Sequence, residues 1–441
     1  MKRFIDEELI AWKNISYRKP LLLRGARQVG KTYAARQLGK QFASFVQINL
    51  EVQPEARKIF EKDLDAKRIM RDLSLFSAQP IIPGETLLFI DEIQITPQAV
   101  TALRYFYEEI PELHVIAAGS LLDFAIEQVG IPVGRVESLY LYPLSFLEFL
   151  LSMNNDVLVQ EIIAHSVEEP LSEPVHNKLL SLLGEYIAIG GMPGVVDCWI
   201  TTKDPSRCFA LHHALLDTYR QDFVKYATKH QIKYVDVIFN NIPRQLGRKF
   251  KYSDIEGDYR KRELSPALEL LITAGVAHKV THSSGQGIPL GATVDPQNYK
   301  VIFLDIALSQ AILGLDLESW FLDPQQQFIN KGELVEAFVG QELLVYANPH
   351  AKSNLYYWQR NAPSSTAEVD YLIQSGEKII PIEVKSGVGT TLRSLNLFLE
   401  SHPNAPRGIR FSMQNYSVFG LIQSFPLYAV AAIQKQRAGG N

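Results

Sequence analysis

The chain has 441 residues, of which 46% are hydrophobic and 21% charged, and its formal net charge is −4. This length exceeds one compact core and predicts two or three domains. The slightly negative charge excludes a nucleic-acid-binding surface that extends over the whole protein, although a local basic face stays open. Two cysteines, Cys198 and Cys208, cannot form a disulfide framework or a four-cysteine zinc site, which favours a reduced, cytoplasmic compartment.

Membrane segments are not expected. The first residues, MKRFIDEELIAWKN, lack the apolar core of a signal peptide. No apolar run approaches the ~18 residues that span a bilayer. The most apolar long stretch, residues 139–153, is interrupted by Pro143 and Glu148, so we interpret it as protein core.

Residues 20–143 alternate short β-rich runs with helical patterns. The β-rich runs are PLLLRG, FVQINLE at 45–51, TLLFIDE at 86–92, HVIAAGS at 114–120 and VESLYLYP at 136–143. Strands separated by helices predict a parallel sheet covered on both faces. Helical periodicity then dominates residues 144–240, interrupted by the glycine-rich turn AIGGMPGVV at 188–196.

The stretch RGARQVGKT follows the first predicted strand and precedes a predicted helix. It fits the pattern G-x-x-x-x-G-K-[ST], in which glycines turn the backbone so that its N–H groups and the helix N-terminus face phosphate oxygens. Lys31 is predicted to bridge the β- and γ-phosphates of ATP, and Thr32 to offer its hydroxyl to Mg²⁺. The predicted nucleotide-binding residues are Gly25, Ala26, Arg27, Gln28, Val29, Gly30, Lys31, Thr32 and Tyr33.

Polar residues at the ends of later strands complete the predicted site. Asp91 is expected to hold Mg²⁺ and Glu92 to polarise the attacking water, unless the pair only ends a strand at a solvated turn. Ser120 is a γ-phosphate sensor if its strand lies between the first and third strands, and a helix cap otherwise. Arg135 is a candidate for stabilising transition-state charge, in cis or across a subunit interface, although the residues alone favour a surface arginine.

Taken together, the stretches RGARQVGKT, LLFIDEIQ, AAGSLLDF, GRVESLYLYPLSFLEFL and GGMPGVV closely resemble a widespread prokaryotic group of AAA-type ATPases. In that group the ATPase core is followed by a C-terminal domain of unknown function related to restriction-endonuclease-like folds. The resemblance covers nearly the whole chain. It implies nucleotide-dependent ATPase activity with the phosphate loop, Asp91 and Glu92 in the roles above, and it favours Ser120 as sensor and Arg135 as a family-typical arginine.

Residues 237–305 predict helices, LGRKFKYSDIEG and KRELSPALELLITAGV, followed by strands, VAHKVTHSS and YKVIFLD. Helices followed by a β-ribbon predict a winged helix. Acidic residues are interleaved with the basic ones here, so DNA contact and a mixed solvated surface both stay open. The basic residues are Arg244, Arg248, Lys249, Lys251, Arg260, Lys261 and Arg262.

From residue 330 a helix, GELVEAFVGQELLVYA, precedes the strands NLYYWQR, AEVDYLIQ, KIIPIEVKSG, GIRFSM and LYAVAAI, with a helix LRSLNLFLESH among them. Asp370 and Glu383 on adjacent strands can converge on one divalent cation, and Lys385 shares the face of Glu383 because side chains repeat every two residues. With Glu336 as a third carboxylate, such a cluster suits phosphodiester hydrolysis. It resembles the D…ExK signature of restriction-endonuclease-like proteins, whose domains also act as binding or effector modules; a solvated charge row on an edge strand is the alternative.

We therefore expect an α/β chain with a P-loop ATPase domain and helical extension at 1–205, a winged-helix-like domain at 206–325 and a restriction-endonuclease-like domain at 326–441. The expected function is Mg²⁺-dependent ATP hydrolysis that switches the C-terminal domains. The alternatives are an ATP-gated, metal-dependent nuclease or DNA-binding protein, and a non-enzymatic nucleotide-dependent scaffold. ATP is the expected ligand, while DNA, a second copy of the chain and a protein partner stay open.

Overall fold

The computed structural model describes residues 1–130, 134–315, 317–360, 367–387 and 392–434. The chain divides into two compact units. The first unit comprises Met1–Tyr142, Thr273–Gly275 and Asn348–Lys352, and the second comprises Pro143–Ile272, Val276–Ala347 and Ser353–Asn441. Within the described ranges, no helix combines the length and the apolar character needed to cross a bilayer.

The described part of the first unit forms a five-stranded parallel sheet in the order β2-β3-β4-β1-β5. Every residue of β3 and β4 is buried, as expected for strands covered on both faces. The predicted parallel sheet is thus confirmed. The elements are α1 Ile5–Lys13, β1 Leu21–Arg24, α2 Lys31–Gly39, β2 Ser44–Asn49, α3 Pro54–Glu61, α4 Ala66–Ser77, β3 Thr86–Asp91, α5 Pro97–Glu109, β4 His114–Ala118, α6 Leu122–Val129 and β5 Glu137–Tyr140.

The strand order brings three loops to one edge of this sheet. Strand β4 pairs with β1 on one side and with β3 on the other. Its last residue, Ala118, is in register with both Leu23 and Asp91. Because parallel strands end at the same edge, the segments that follow β1, β3 and β4 are neighbours there.

The second unit contains an eight-stranded mixed sheet in the order β12-β13-β11-β10-β9-β8-β6-β7. Apolar residues of β8, β9 and β10 pack with helix α18 in one core, which includes Trp358, Leu372, Ile379 and Phe398. The elements are α7 Phe146–Ser152, α8 Asp156–Ala164, α9 Glu173–Ile189, α10 Pro193–Thr202, α11 Pro205–Tyr226, α12 Ile232–Asn241, α13 Lys261–Thr273, β6 Ala277–Ser283, β7 Val294–Phe303, α14 Ile306–Leu313, α15 Ser319–Leu322, α16 Pro324–Asn330, α17 Gly332–Val345, β8 Leu355–Gln359, β9 Glu368–Ser375, β10 Lys378–Lys385, α18 Arg393–Ser401, β11 Gly408–Ser412, β12 Ser417–Phe419 and β13 Ile422–Pro426.

Two sequence predictions in this unit are wrong. The stretch 246–257 is not a helix: Gly247 has a φ of +70°, and Lys249 then pairs as an isolated bridge with Lys300 of β7. Residues Leu427–Ala432 form a 3₁₀ segment instead of a strand, and the last strand lies just before it, in β13. This run is buried throughout, and a short apolar run without alternation does not distinguish helix from strand.

The winged-helix interpretation and the predicted boundaries near 205 and 325 stay predictions. Helices α12 and α13 and the antiparallel pair β6–β7 occur in the predicted order. The pair is part of the eight-stranded sheet, because β6 also pairs with β8. The segment at Lys249 and Phe250 lies along the other side of β7, where Phe250 N–H donates to Tyr299 O at 2.9 Å.

The glycine-rich turn between α9 and α10 joins three segments of the second unit. Gly191 accepts a hydrogen bond from Leu144 N–H at 2.7 Å and donates its own N–H to Asp305 Oδ2 at 2.7 Å. A Cβ on Gly191 would lie 2.2 Å from Leu144 O. Asp305 also caps α14 by accepting from Ala307 N–H. The motif GGMPGVV therefore has a structural role.

Glu342 lies on α17, and its buried carboxyl group contacts the first residue of α7. It accepts hydrogen bonds from Phe146 N–H at 3.0 and 3.3 Å, and the side chain is 1% exposed. Burial raises the pKa of Glu342 to about 8. The group therefore holds a proton in the folded chain at pH values where it has lost that proton in the unfolded chain.

We predict that Glu342→Gln weakens the pH dependence of stability. Because the folded pKa lies above the ordinary value of 4.5, the wild-type contribution to stability is complete at low pH and is lost as the pH rises from about 4.5 to about 8. The free energy of unfolding should fall less steeply in the variant, by up to ~1.4 kcal/mol per pH unit. Urea unfolding of wild type and variant at several pH values between about 4.5 and about 8 measures this change in the free energy of unfolding.

Glu333→Gln is the matched control, since Glu333 lies on the same helix and is exposed. This variant should retain the wild-type pH dependence. Identical slopes for wild type and Glu342→Gln would contradict the assignment.

Candidate functional site

The phosphate loop connects β1 to α2 through three residues in left-handed backbone conformations. Their φ angles are +137° at Gly25, +63° at Gln28 and +103° at Gly30. Glycine adopts such angles without steric cost, whereas a side chain there, as in Gln28, is uncommon and marks a backbone determined by its surroundings. The loop is thus curled so that α2 begins directly at Lys31.

Gly25 is required by a close backbone contact as well as by its φ angle. A Cβ at this position would lie 2.1 Å from the carbonyl oxygen of Leu141. Deeper in the loop, Ala26 and Val29 are buried. Gln28 is exposed, and Tyr33 on the first turn of α2 is 42% exposed.

Lys31 is folded into the loop. Its ammonium group donates to Gly25 O at 2.8 Å and to Ala26 O at 2.7 Å, and the residue is 7% exposed. Burial lowers the pKa of Lys31 to about 8, against the opposing effect of nearby Glu92 and Asp91. A buried ammonium held by neutral carbonyl groups favours an anionic ligand, and phosphate is such a ligand.

Asp91 ends β3 beside the phosphate loop. Thr32 Oγ1 donates to Asp91 Oδ2 at 3.0 Å, and Glu92 N–H donates to Asp91 Oδ1 at 3.1 Å. Burial raises the pKa of Asp91 even though Thr32 acts in the opposite direction. A hydroxyl and a partly desolvated carboxylate in contact fit the oxygen ligands that Mg²⁺ prefers.

Glu92 is held by two polar side chains. Its Oε2 accepts from Gln94 Nε2 at 2.6 Å and from Ser120 Oγ at 3.3 Å. The backbone of Glu92 is left-handed, with a φ of +52°. Gly119 leaves room for Gln94, because a Cβ there would lie 1.9 Å from Gln94 Oε1. Strand β4, which ends two residues before Ser120, does lie between β1 and β3. The contact of Gln94 with Glu92 was not predicted from the sequence.

A second missed contact joins the loop to the segment after β4. Arg24 Nε and one terminal nitrogen both donate to Asp123 Oδ1, at 2.8 and 2.5 Å. The Arg24 guanidinium also lies 4.8 Å from the centre of the Tyr140 ring on β5. Since Arg24 precedes Gly25 directly, this ion pair fixes the start of the phosphate loop relative to the Ser120 segment. The partners are 99 positions apart, so no local pattern in the sequence indicates their contact.

Arg135 does not contact the phosphate loop in any described hydrogen bond. It pairs with Glu108 at the end of α5, with 2.8 Å between Nε and Oε1, and its side chain is 46% exposed. Arg104 of the same helix pairs with the same oxygen at 3.1 Å. The catalytic assignment of Arg135 stays a prediction.

The predicted C-terminal residues come together in the second unit. Asp370 on β9 and Glu383 on β10 lie on paired antiparallel strands, and Asp370 Oδ2 accepts from Val384 N–H at 2.7 Å. Lys385 pairs with Glu383 at 2.5 Å. Burial raises the pKa of Asp370 and raises that of Glu383 to about 7.

Lys300 of β7 is the basic centre of this cluster and was not predicted from the sequence. Its ammonium lies 2.8 Å from Glu336 Oε1, forms an ion pair with Glu368, and lies 4.0 Å from Asp370 Oδ1. Burial alone would lower the pKa of Lys300, but the three carboxylates raise it above its usual value. Burial and the nearby Asp370 raise the pKa of Glu336, whereas Lys300 opposes that rise. Among the described residues, no group of three or more His, Cys, Asp or Glu side chains is arranged to hold a metal ion.

Part of the predicted basic region lines a cavity in the second unit. The cavity has a volume of about 540 Å³, and its walls include Arg244, Arg248, Leu246 and Leu334. The carboxylate of Glu263 accepts from Tyr234 O–H and Arg260 N–H, so acidic and basic groups are mixed at α13. DNA contact stays a prediction.

The parallel sheet, the phosphate loop and the strand-end carboxylates define a P-loop nucleotide-binding protein. Residues 17–150 match the family model described as an AAA domain, which supports an AAA-type ATPase family for this part of the chain. Residues 180–319 and 331–429 match two models, each described as a domain of unknown function (DUF8612 and DUF4143). No curated protein matches the chain.

Solved structures with similarity to the chain include the Walker-type ATPase PABY2304 of Pyrococcus abyssi, at 15% identity and a TM-score of 0.46 over 71% of this chain and 95% of that one. The Aeropyrum pernix ORC1 protein in complex with DNA has 14% identity and a TM-score of 0.30 over 72% and 94%. C. elegans PCH-2 has 12% identity and a TM-score of 0.27 over 46% and 64%. All three TM-scores are below 0.5.

We predict that Gly25→Ala abolishes nucleotide binding and lowers the melting temperature, because the new Cβ would overlap the Leu141 carbonyl and require a strained φ angle. The φ strain alone costs on the order of 1–3 kcal/mol. Gly84→Ala is the matched control: Gly84 has a φ of +86° in the same unit, with nothing within 4 Å of its Cβ position. It should lower stability only by the strain and leave binding of a fluorescent ATP analogue intact. Equal binding by the two variants would contradict the role of the Leu141 contact.

Proposed function

We propose that this chain binds ATP with Mg²⁺, hydrolyses it, and uses the nucleotide state as a switch for its C-terminal regions. One observation carries the proposal: Thr32 contacts Asp91, and the adjacent Glu92 contacts Ser120, at the edge of the sheet where the phosphate loop lies. The AAA domain match over residues 17–150 supports it.

Each residue at this edge has a role that follows from its chemistry. The backbone N–H groups of the loop and the Lys31 ammonium bind phosphate oxygens. Thr32 and Asp91 hold Mg²⁺, which when bound neutralises charge on the phosphates. Glu92 accepts the proton of the attacking water, and Ser120 and Gln94 orient its carboxylate.

The proposed switch couples the nucleotide state to the C-terminal regions and to their binding partners. A nucleotide-dependent change in the segments after β1, β3 and β4 would be passed to the regions matched by the two domains of unknown function. A second copy of the chain, DNA and a protein are the candidate partners. Cys198 and Cys208 are free thiols, which agrees with a cytoplasmic location.

We predict that Lys31→Ala lowers the rate of ATP hydrolysis at least ~100-fold by removing a cation that stabilises phosphate charge. Glu92→Gln should bind ATP but hydrolyse it ~100-fold to 10,000-fold more slowly, because the amide cannot accept the proton. Phosphate release by the purified chain, with Mg²⁺ and with or without DNA, measures both effects. Stimulation by DNA would name the polymer partner.

Lys40→Ala is the control for Lys31→Ala, since Lys40 follows α2, is exposed, and in the described contacts its ammonium donates to the Gln37 side chain. It should hydrolyse ATP at the wild-type rate. Equal rates in wild type and Lys31→Ala would contradict ATPase activity at this site. ATP-dependent oligomerisation with hardly any turnover in the wild type would favour the scaffold instead.

For Arg135 we predict that Arg135→Ala lowers hydrolysis ~1,000-fold or more if the guanidinium stabilises the transferring phosphate. Arg104→Ala is a closely matched control, because both arginines pair with the same oxygen of Glu108 and are similarly exposed. A rate per chain that rises with protein concentration would assign Arg135 to a neighbouring subunit. If both variants hydrolyse ATP at the same rate, Arg135 is a surface arginine.

A further inference from the structure

Lys300 lies at the centre of the C-terminal carboxylate cluster. Its side chain is 3% exposed and reaches three acidic groups, at 2.8 Å for Glu336, in an ion pair with Glu368, and at 4.0 Å for Asp370. The ring of Tyr357 lies 5.3 Å from the ammonium. A charged group this deeply buried is stable only with such counter-charges around it.

Each carboxylate of the motif has at least one oxygen that faces a cation or an N–H group of the described residues. Oε1 of Glu336 and Oδ1 of Asp370 face Lys300, and Oδ2 of Asp370 accepts the Val384 N–H. Oε1 of Glu383 pairs with Lys385. In the described part of the chain, Oε2 of Glu383 is buried without a hydrogen-bond partner. One carboxylate oxygen supplies only a fraction of the oxygen ligands that a divalent cation takes.

A divalent cation would therefore have to displace Lys300. Metal bound between Glu336 and Asp370 would compete for the oxygens that stabilise the ammonium. It would also leave the buried lysine with Glu368 as its remaining counter-charge among the described contacts, which is unfavourable.

We propose that Lys300 is the resident cation of this cluster: its ammonium takes the place in which the sequence motif predicts a divalent metal, so the folded chain binds neither Mg²⁺ nor Mn²⁺ there. The C-terminal region then acts without metal-dependent phosphodiester cleavage. The restriction-endonuclease-like motif residues serve as an ionic junction inside the second unit.

The cation and the carboxylates of this ionic junction come from two different stretches of the chain. Lys300 belongs to the stretch 180–319 and the carboxylates belong to the stretch 331–429, which match two different family models. Strand β7 thus contributes the cation, while α17 and β9 contribute the acids. The ion pairs from Lys300 to Glu336 and Glu368 therefore join the two stretches, while Glu383 pairs with Lys385 inside the second stretch.

Binding of Mn²⁺ to the full chain without nucleotide tests the proposal, and the absence of nucleotide makes the result independent of ATPase activity. Free Mn²⁺ is followed by electron paramagnetic resonance in wild type, Asp370→Asn, Lys300→Met and Lys300→Met/Asp370→Asn. Wild type and Asp370→Asn should take up the same amount. Lys300→Met should take up about one further equivalent, which the added Asp370→Asn removes.

Two results would overturn the proposal. The first is an equivalent of Mn²⁺ bound by wild type and lost in Asp370→Asn, since the metal would then displace Lys300. The second is a folded Lys300→Met that takes up no additional Mn²⁺, since Lys300 would then not be what excludes the metal. If Lys300→Met does not fold, the comparison of wild type with Asp370→Asn decides alone, with Lys300→Arg as a variant that keeps the charge and should bind no further Mn²⁺.

Discussion

The position of β4 between β1 and β3 is the constraint on which the nucleotide site depends. Neighbouring strands lie ~4.8 Å apart, so the ends of β1 and β3 are separated by about 10 Å. The first turn of α2 closes that distance and brings Thr32 to 3.0 Å from Asp91. The turn that follows the strand between them supplies Ser120 at the same edge, within hydrogen-bond distance of Glu92. A different strand order would disperse these groups even with every motif residue present.

The two buried lysines show how the kind of partner determines what a site can accept. Lys31 contacts neutral carbonyl groups, and burial lowers its pKa to about 8. Lys300 contacts carboxylates, and its pKa is raised above the usual value. The first ammonium gains from the approach of a phosphate, whereas the second is already neutralised by its own chain. The same residue type thus marks an open anion site in one unit and a closed ionic cluster in the other.

Motifs whose residues are close together in the sequence were predictable, because their spacing alone indicates the local structure that they form. The phosphate loop, the strand ending in Asp91 and the parallel sheet all follow from local pattern, and the sheet is confirmed. Contacts between distant residues were missed. Arg24 and Asp123 are 99 positions apart, and Lys300 is 36 positions from Glu336, so no spacing in the sequence connects them. The strand prediction for Leu427–Ala432 was wrong for another reason. In a fully buried run, polar and apolar residues do not alternate, so the pattern does not distinguish a 3₁₀ segment from a strand.

The segment at Lys249 and Phe250 has a consequence for how the long sheet is protected. Strand β7 is the last strand of the eight, so its outer backbone groups would otherwise be free to pair with a strand of another molecule. The bridge from Lys249 to Lys300 and the hydrogen bond from Phe250 to Tyr299 use part of that outer edge. At the opposite side the sheet ends in β12, which has only three residues. In the described residues, this eight-stranded sheet thus ends in a short strand on one side and in a partly paired strand on the other. Both features reduce the edge that is open to intermolecular strand pairing and so act against aggregation.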